Sequence, residues 1–453
     1  MDLLDRPALD QIAALRSGRV AAPDLMAAVL DRIGASGINA VVSLRDRGAL
    51  MAEAAAPGDG PLAGLPMAVK DLAEVAGVRT TYGHPAFRDH VPAADGPVAA
   101  RLRAAGAILI GKTNTPEFGL GSHTVNPVFG PTLNPWDPAR SAGGSSGGAG
   151  AALAARLVAL ADGSDMMGSL RNPAVWNGVY GLRPSHGRVP GAAAGEAFLH
   201  PLATDGPMAR TPGDLALLLG VLSADDPRSP WRAPAPVAAP GPLRIGWTLD
   251  WGGAWPVEPE VAALCEAGLA TLSGAGHAVV PWTPPVPAER LWEAWTTLRS
   301  WAVAERMRPL WTDAFAAASK PALVWEVERG LRLSAEAVHA ASVTRSDWFR
   351  AMADAEVDAV ATPAAQLMPF PVGWDWPRAV AGRAMDSYYR WMECTVPASL
   401  AGLPAIALPC GLSGGVPNGL QVMARQGWDD ALIGVAEGFE RRMGWAERRP
   451  GAA

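Results

Sequence analysis

Apolar positions repeat along the chain in three textures, and each predicts a different kind of element. In residues 1–56, Leu3, Leu4, Leu9, Ile12 and Leu15 recur at helical spacing, and Leu25, Met26, Val29, Leu30 and Ile33 do so again. This stretch therefore reads as a helical segment packed on a core. From 57 to 235 short apolar runs, MAVK and AILIGK among them, alternate with Ala-rich helical stretches such as PVAARLRAAG and AALAARL. Continuous apolar runs are the mark of strands buried on both faces, so this section predicts an α/β core. The Pro/Ala-rich stretch 228–242, RSPWRAPAPVAAPGP, reads as a surface connection. Residues 236–390 open with a strand, LRIGW, and a helix, VEPEVAALCEAGLATLSGAG. They then become mostly helical and rich in tryptophan. Residues 391–453 return to strand patterns, TVPASLAGLPAIALPCGL and GLQVMAR, and close on the helix DDALIGVAEGFERRM. The four sections are expected to form one compact unit.

Composition narrows the class. Of 453 residues, 49% are apolar and 18% charged, enough apolar surface for a large core. The net charge of −6, with no Lys/Arg-rich run, argues against a nucleic-acid partner. The three cysteines, Cys265, Cys394 and Cys410, are far apart and form no CxxC pair, so neither a disulfide framework nor a structural zinc is expected. No metal or other cofactor is called for. The opening residues lack a secretory pattern, and no long apolar run suggests a membrane span, so a cytoplasmic, membrane-free protein is expected.

Chemistry concentrates in three segments. The first, Ser141-Ala-Gly-Gly-Ser-Ser-Gly-Gly-Ala-Gly150, holds five glycines and three serines in ten residues and runs into a helical pattern. Such a turn lets a ligand approach the main chain and presents free N–H groups. A phosphate loop would want a lysine after the glycines, and none follows. Gly143-Gly-Ser-Ser-Gly147 formally matches the GxSxG nucleophile elbow, which would make Ser145 the nucleophile and require one of His186, His200, His277 or His339 as its base. The second segment, Ala161-Asp-Gly-Ser-Asp-Met-Met-Gly-Ser169-Leu-Arg-Asn-Pro, places Ser169 in a polar turn after a short strand. In the third, Gly64-Leu-Pro-Met-Ala-Val-Lys70-Asp71, a lysine ends an apolar strand.

Together, GLPMAVKDLAEVAGVRTTYG, RSAGGSSGGAGAALAA, SDMMGSLRNPAVWNGVYGLRPSHGRVP and the two C-terminal strand patterns resemble the amidase signature family over nearly the whole chain. The resemblance implies a large mixed central β-sheet covered by helices on both faces. It also implies a triad of Lys70, Ser145 after a cis peptide bond, and the nucleophile Ser169, with the two serines 24 residues apart as in the family. A serine hydroxyl attacks only when something accepts its proton. A lysine can do so once burial has lowered its pKa to leave a neutral amine. The expected oxyanion hole is the backbone of Met166, Met167, Gly168 and Ser169, with Gly144, Ser146, Asp165 and Arg171 supporting the loop and Asn172 sharing its hydrogen bonds.

One departure matters. The family usually has Thr-Gly-Gly-Ser where this chain has Met166-Met167-Gly168-Ser169, so either the lost glycine needs no special φ/ψ or the hole is reshaped. Thirteen of the eighteen tryptophans lie between Trp247 and Trp391. Beside an active site they would suit a hydrophobic or aromatic amide, anilide or carbamate. Within the same family, the glutaminase subunit of a tRNA-dependent amidotransferase is the alternative. An inactive amidase-like binding protein and a histidine-dependent esterase are the others. A homodimer is left open.

Overall fold

The computed structural model describes residues 3–191, 196–199, 201–223, 225–235, 237 and 241–451. Its frame is an eight-stranded mixed sheet with helices on both faces. In spatial order the strands are Ala278–Pro281, Arg244–Trp247, Ala359–Pro363, Val416–Ala424, Ala405–Ser413, Tyr180–Arg183, Thr204–Ala209 and Leu160–Asp165. The first three run parallel, and every later pairing is antiparallel. All nine residues of Val416–Ala424 are buried, which accounts for a strand pattern without polar alternation. The closing helix Asp429–Met443 has Asp429 and Asp430 in its first turn and Arg441 and Arg442 in its last. Both pairs suit the helix dipole, and left-handed Gly444 ends it.

One sequence expectation gains detail and one is corrected. The lysine strand Pro66–Lys70 does not join the large sheet. It lies parallel to Ile108–Thr113 in a separate three-stranded sheet completed by Val41–Val42. The two sheets are tied where the Lys70 backbone N–H donates to both oxygens of Asp162, at 3.1 and 3.3 Å. Further on, the first half of TVPASLAGLPAIALPCGL is a helix, Val396–Ala401, and the strand begins only at Ala405. Pro397 sits in the first turn, where its missing N–H costs nothing, and left-handed Gly402 stops the helix. Of the stretch 228–242, residues 236 and 238–240 lie outside the described residues, and the rest contains no helix or strand.

The tryptophan-rich section is helical as its pattern suggests, with Ala288–Met307, Asp313–Ala318, Pro321–Leu331 and Ala335–Ala353. Trp292 and Trp295 are both buried on one side of Ala288–Met307. Trp251 packs on Trp255, Trp282 and Trp348, so these rings serve as core. Among the described residues no helix is long and apolar enough to cross a membrane, and no group of three or more His, Cys, Asp or Glu could hold a metal ion.

Candidate active site

Three turns converge on one point. Lys70 ends its strand, Ser145 and Ser146 lead into the helix Gly147–Ala154, and Ser169 follows the edge strand Leu160–Asp165. The Gly144–Ser145 peptide is cis. Lys70 is buried, and its Nζ lies 2.8 Å from Ser145 Oγ, 2.8 Å from Ser146 Oγ and 3.0 Å from Ser164 Oγ. Burial lowers the lysine to about 7, against the pull of Asp162, Asp205 and Asp165. A large fraction is therefore uncharged at neutral pH.

The two hydroxyls nearest the amine differ in access. Ser145 and Ser169 line a cavity of about 70 Å³, and Ser146 does not. Ser146 instead reaches back to the Ser164 carbonyl, 3.4 Å away. Among the described residues no hydrogen bond engages the Ser169 hydroxyl, which leaves it free at the cavity wall. The remaining walls include Leu72, Phe118, Leu120, Met166, Met167 and Val303.

The Ser169 turn is held from below by charge. Asp165 accepts from the N–H groups of Gly168 (2.8 Å) and Leu170 (3.1 Å) and pairs with Arg171 through two bonds of 3.0 Å. Burial pushes the Asp165 carboxyl up, but Arg171 and Arg183 outweigh it and hold it well below the usual carboxylate range. Arg171 also donates to the Thr395 carbonyl, Gln421 and Ser399, pinning the turn to the large sheet and its neighbouring helix.

The expected oxyanion set needs one correction: the Gly168 N–H is already given to Asp165. The N–H groups of Met166, Met167 and Ser169 have no acceptor among the described residues. The missing family glycine has a simple account. Gly168 is the left-handed residue, at φ 81°, and neither Met166 nor Met167 has a positive φ. A second correction concerns Asn172, which joins the loop through its backbone N–H, given to the Gly168 carbonyl at 2.8 Å, while its buried side-chain amide makes no hydrogen bond among the described residues. Two further expectations change. No tryptophan lines the cavity, and Phe118 is its only aromatic ring among the described residues. Trp295 acts from behind, donating to Met167 Sδ at 3.2 Å. No described histidine lines the cavity either. The amine of Lys70 occupies the place beside Ser145 that an elbow serine gives to histidine, and His200 lies outside the described residues.

Sequence reasoning passed over Ser164 and Asp162. Both lie on Leu160–Asp165 two residues apart, hence on one face of the strand, and both bond to Lys70. That parity was the available signal.

The family model for amidases, described as Amidase, matches residues 24–433. The chain belongs to the amidase family. Its relatives include the acylamidase of Rhodococcus erythropolis, 33% identical across 98% of this chain and 96% of that protein. They also include a glutamyl-tRNA(Gln) amidotransferase subunit from Salinispora tropica, 34% identical across 98% of each. The solved structure of a bacterial aryl acylamidase of the amidase signature family superposes with a TM-score of 0.89 at 28% identity, covering 98% of this chain and 99% of that one. This amidase is an enzyme that hydrolyses amide C–N bonds.

Proposed function

We propose that this amidase cleaves amides of hydrophobic, including aromatic, groups through an acyl-enzyme on Ser169. The observation that carries this reading is an amine with a pKa near 7, 2.8 Å from Ser145, at a cavity whose wall also bears Ser169 and is lined mainly by hydrocarbon and thioether groups. Neutral Lys70 takes the Ser145 proton while Ser145 takes the Ser169 proton, and Ser169 Oγ attacks the carbonyl carbon. The N–H groups of Met166, Met167 and Ser169 face the developing oxyanion. The proton returns through Ser145 to the amide nitrogen, the C–N bond breaks, and the amine leaves. Water then attacks the ester by the same proton path and frees the acid. A carbamate or ester of matching shape would follow the same steps.

The aryl acylamidase structure and the acylamidase relative support this choice. The Salinispora relative keeps a glutaminase role within an amidotransferase as the second reading. Leu72, Phe118, Leu120 and the two methionines offer little to the polar side chain of glutamine.

Ser169→Ala, Ser145→Ala and Lys70→Met are each expected to lower turnover of a 4-nitroanilide by a factor of about 10³ or more. Retained activity in Ser169→Ala would sink the reading. Glutamine hydrolysis with no anilide turnover would transfer it to the amidotransferase role.

A further inference from the structure

One wall of the cavity comes from the helix Ala288–Met307, which contributes Arg299, Ala302, Val303, Arg306 and Met307. These positions form one stripe of an α-helix. Two of them are arginines, and their seven-residue separation sets them about 10 Å apart along the axis.

The two guanidiniums are in different states. Arg299 is buried and answered: its Nε donates to Glu326 at 3.0 Å, and another nitrogen donates to the Tyr388 hydroxyl at 2.7 Å. It also lies over the Tyr389 ring, 4.8 Å from the centroid. Arg306 has no hydrogen bond, ion pair or ring contact among the described residues. Solvent reaches it, because it lines both the serine cavity and an adjoining cleft of about 740 Å³. The surrounding protein still desolvates it enough to pull the guanidinium below its ordinary range. The nearby acid, Asp205, lines the cleft side and acts on Arg306 only through space.

We propose that Arg306 receives a carboxylate of the substrate, so that the preferred amides carry an acid group on their acyl or amine part. This inference rests on the cavity being the amide-binding site. A guanidinium presents a planar fork of donors that matches a carboxylate, and Arg306 is exposed where the cavity and the cleft share it, so an incoming anion can reach it. The other groups along the stripe are apolar or, in Arg299, already paired. Among the described residues of this stripe, an incoming carboxylate therefore meets one unpaired cation.

The test uses Ser169→Ala protein, so that binding is read without turnover. Titration calorimetry compares succinanilate, with its acid on the acyl side, 4-butyramidobenzoate, with its acid on the amine side, and neutral butyranilide. At least one anion is expected to bind roughly tenfold tighter than butyranilide, with the gap shrinking in 0.5 M salt. Adding Arg306→Gln should erase the gap and leave butyranilide within about twofold, and Arg306→Lys should restore only part of it. Which anion is preferred tells which side of the amide faces the helix. Equal binding of all three probes overturns the proposal. So does an Arg306→Gln change that weakens the neutral probe as much as the anions, the behaviour of a residue that only balances Asp205. A wild-type enzyme that binds the anion selectively but hydrolyses no anilide would count against the catalytic reading and not against this one.

Discussion

Lys70 shows how burial leaves an ordinary cation partly uncharged at neutral pH. Three carboxylates, on Asp162, Asp165 and Asp205, pull it towards the charged form, and desolvation still wins. The hydroxyls of Ser145, Ser146 and Ser164 are good partners for either state of the amine, so the site tolerates the proton moving. Asp165 is the opposite case, a carboxylate kept charged by two buried arginines. Asp165→Asn removes the only charge among the described residues that pairs with these two arginines and is expected to cost about 3–5 kcal/mol of stability, measurable by urea unfolding. An unchanged unfolding midpoint would contradict that role. That Lys70, Ser145 and Ser169 would meet was legible because each sits in a long ordered motif. Arg306 was not, because a helical arginine looks the same in sequence whether it meets a carboxylate, water or a cavity.

At the scale of elements, the Ser169 turn is shaped by one backbone conformation and one contact. Gly168 has φ 81°, and a Cβ there would lie 2.7 Å from Thr395 Cγ2. Gly168→Ala is therefore expected to cost about 1–3 kcal/mol, and to move the Asp165 and Ser169 anchors enough to reduce kcat more than it raises KM. Met167→Gly, at the neighbouring position where the family usually has glycine, should leave kcat within a few fold. Equal losses in the two variants would show that φ at Gly168 is not what matters. The Val396–Ala401 helix explains why this scale is harder to read from sequence. Its residues, VPASLA, fit a buried strand or a short buried helix equally well by periodicity. The decision falls to Pro397 and Gly402 at its ends.

At the scale of the whole molecule, the alternation of apolar runs and helices was enough to anticipate an α/β core with a buried sheet, and the family resemblance added that the sheet is large and mixed. It could not tell which strands pair. The Lys70 strand and the Ser169 strand belong to different sheets, and a buried contact from the Lys70 N–H to Asp162 brings them together. The tryptophan-rich section was legible as helical and in part as core, Trp292 and Trp295 by their spacing, but not ring by ring, since a ring facing the interior and a ring facing a ligand leave the same trace in sequence. It bears on the site indirectly, through Trp295 behind Met167 and through the arginines that its longest helix sets along the cavity.

The catalytic account is tested most directly by the pH dependence of covalent labelling in the intact enzyme. With a fluorophosphonate probe and peptide mapping, the adduct should form on Ser169. Because only the neutral amine can accept a proton, the labelling rate should be low in acid and rise through a midpoint of about 7. An adduct on Ser145, or a rate still climbing through pH 10 as for a solvated lysine, would contradict it.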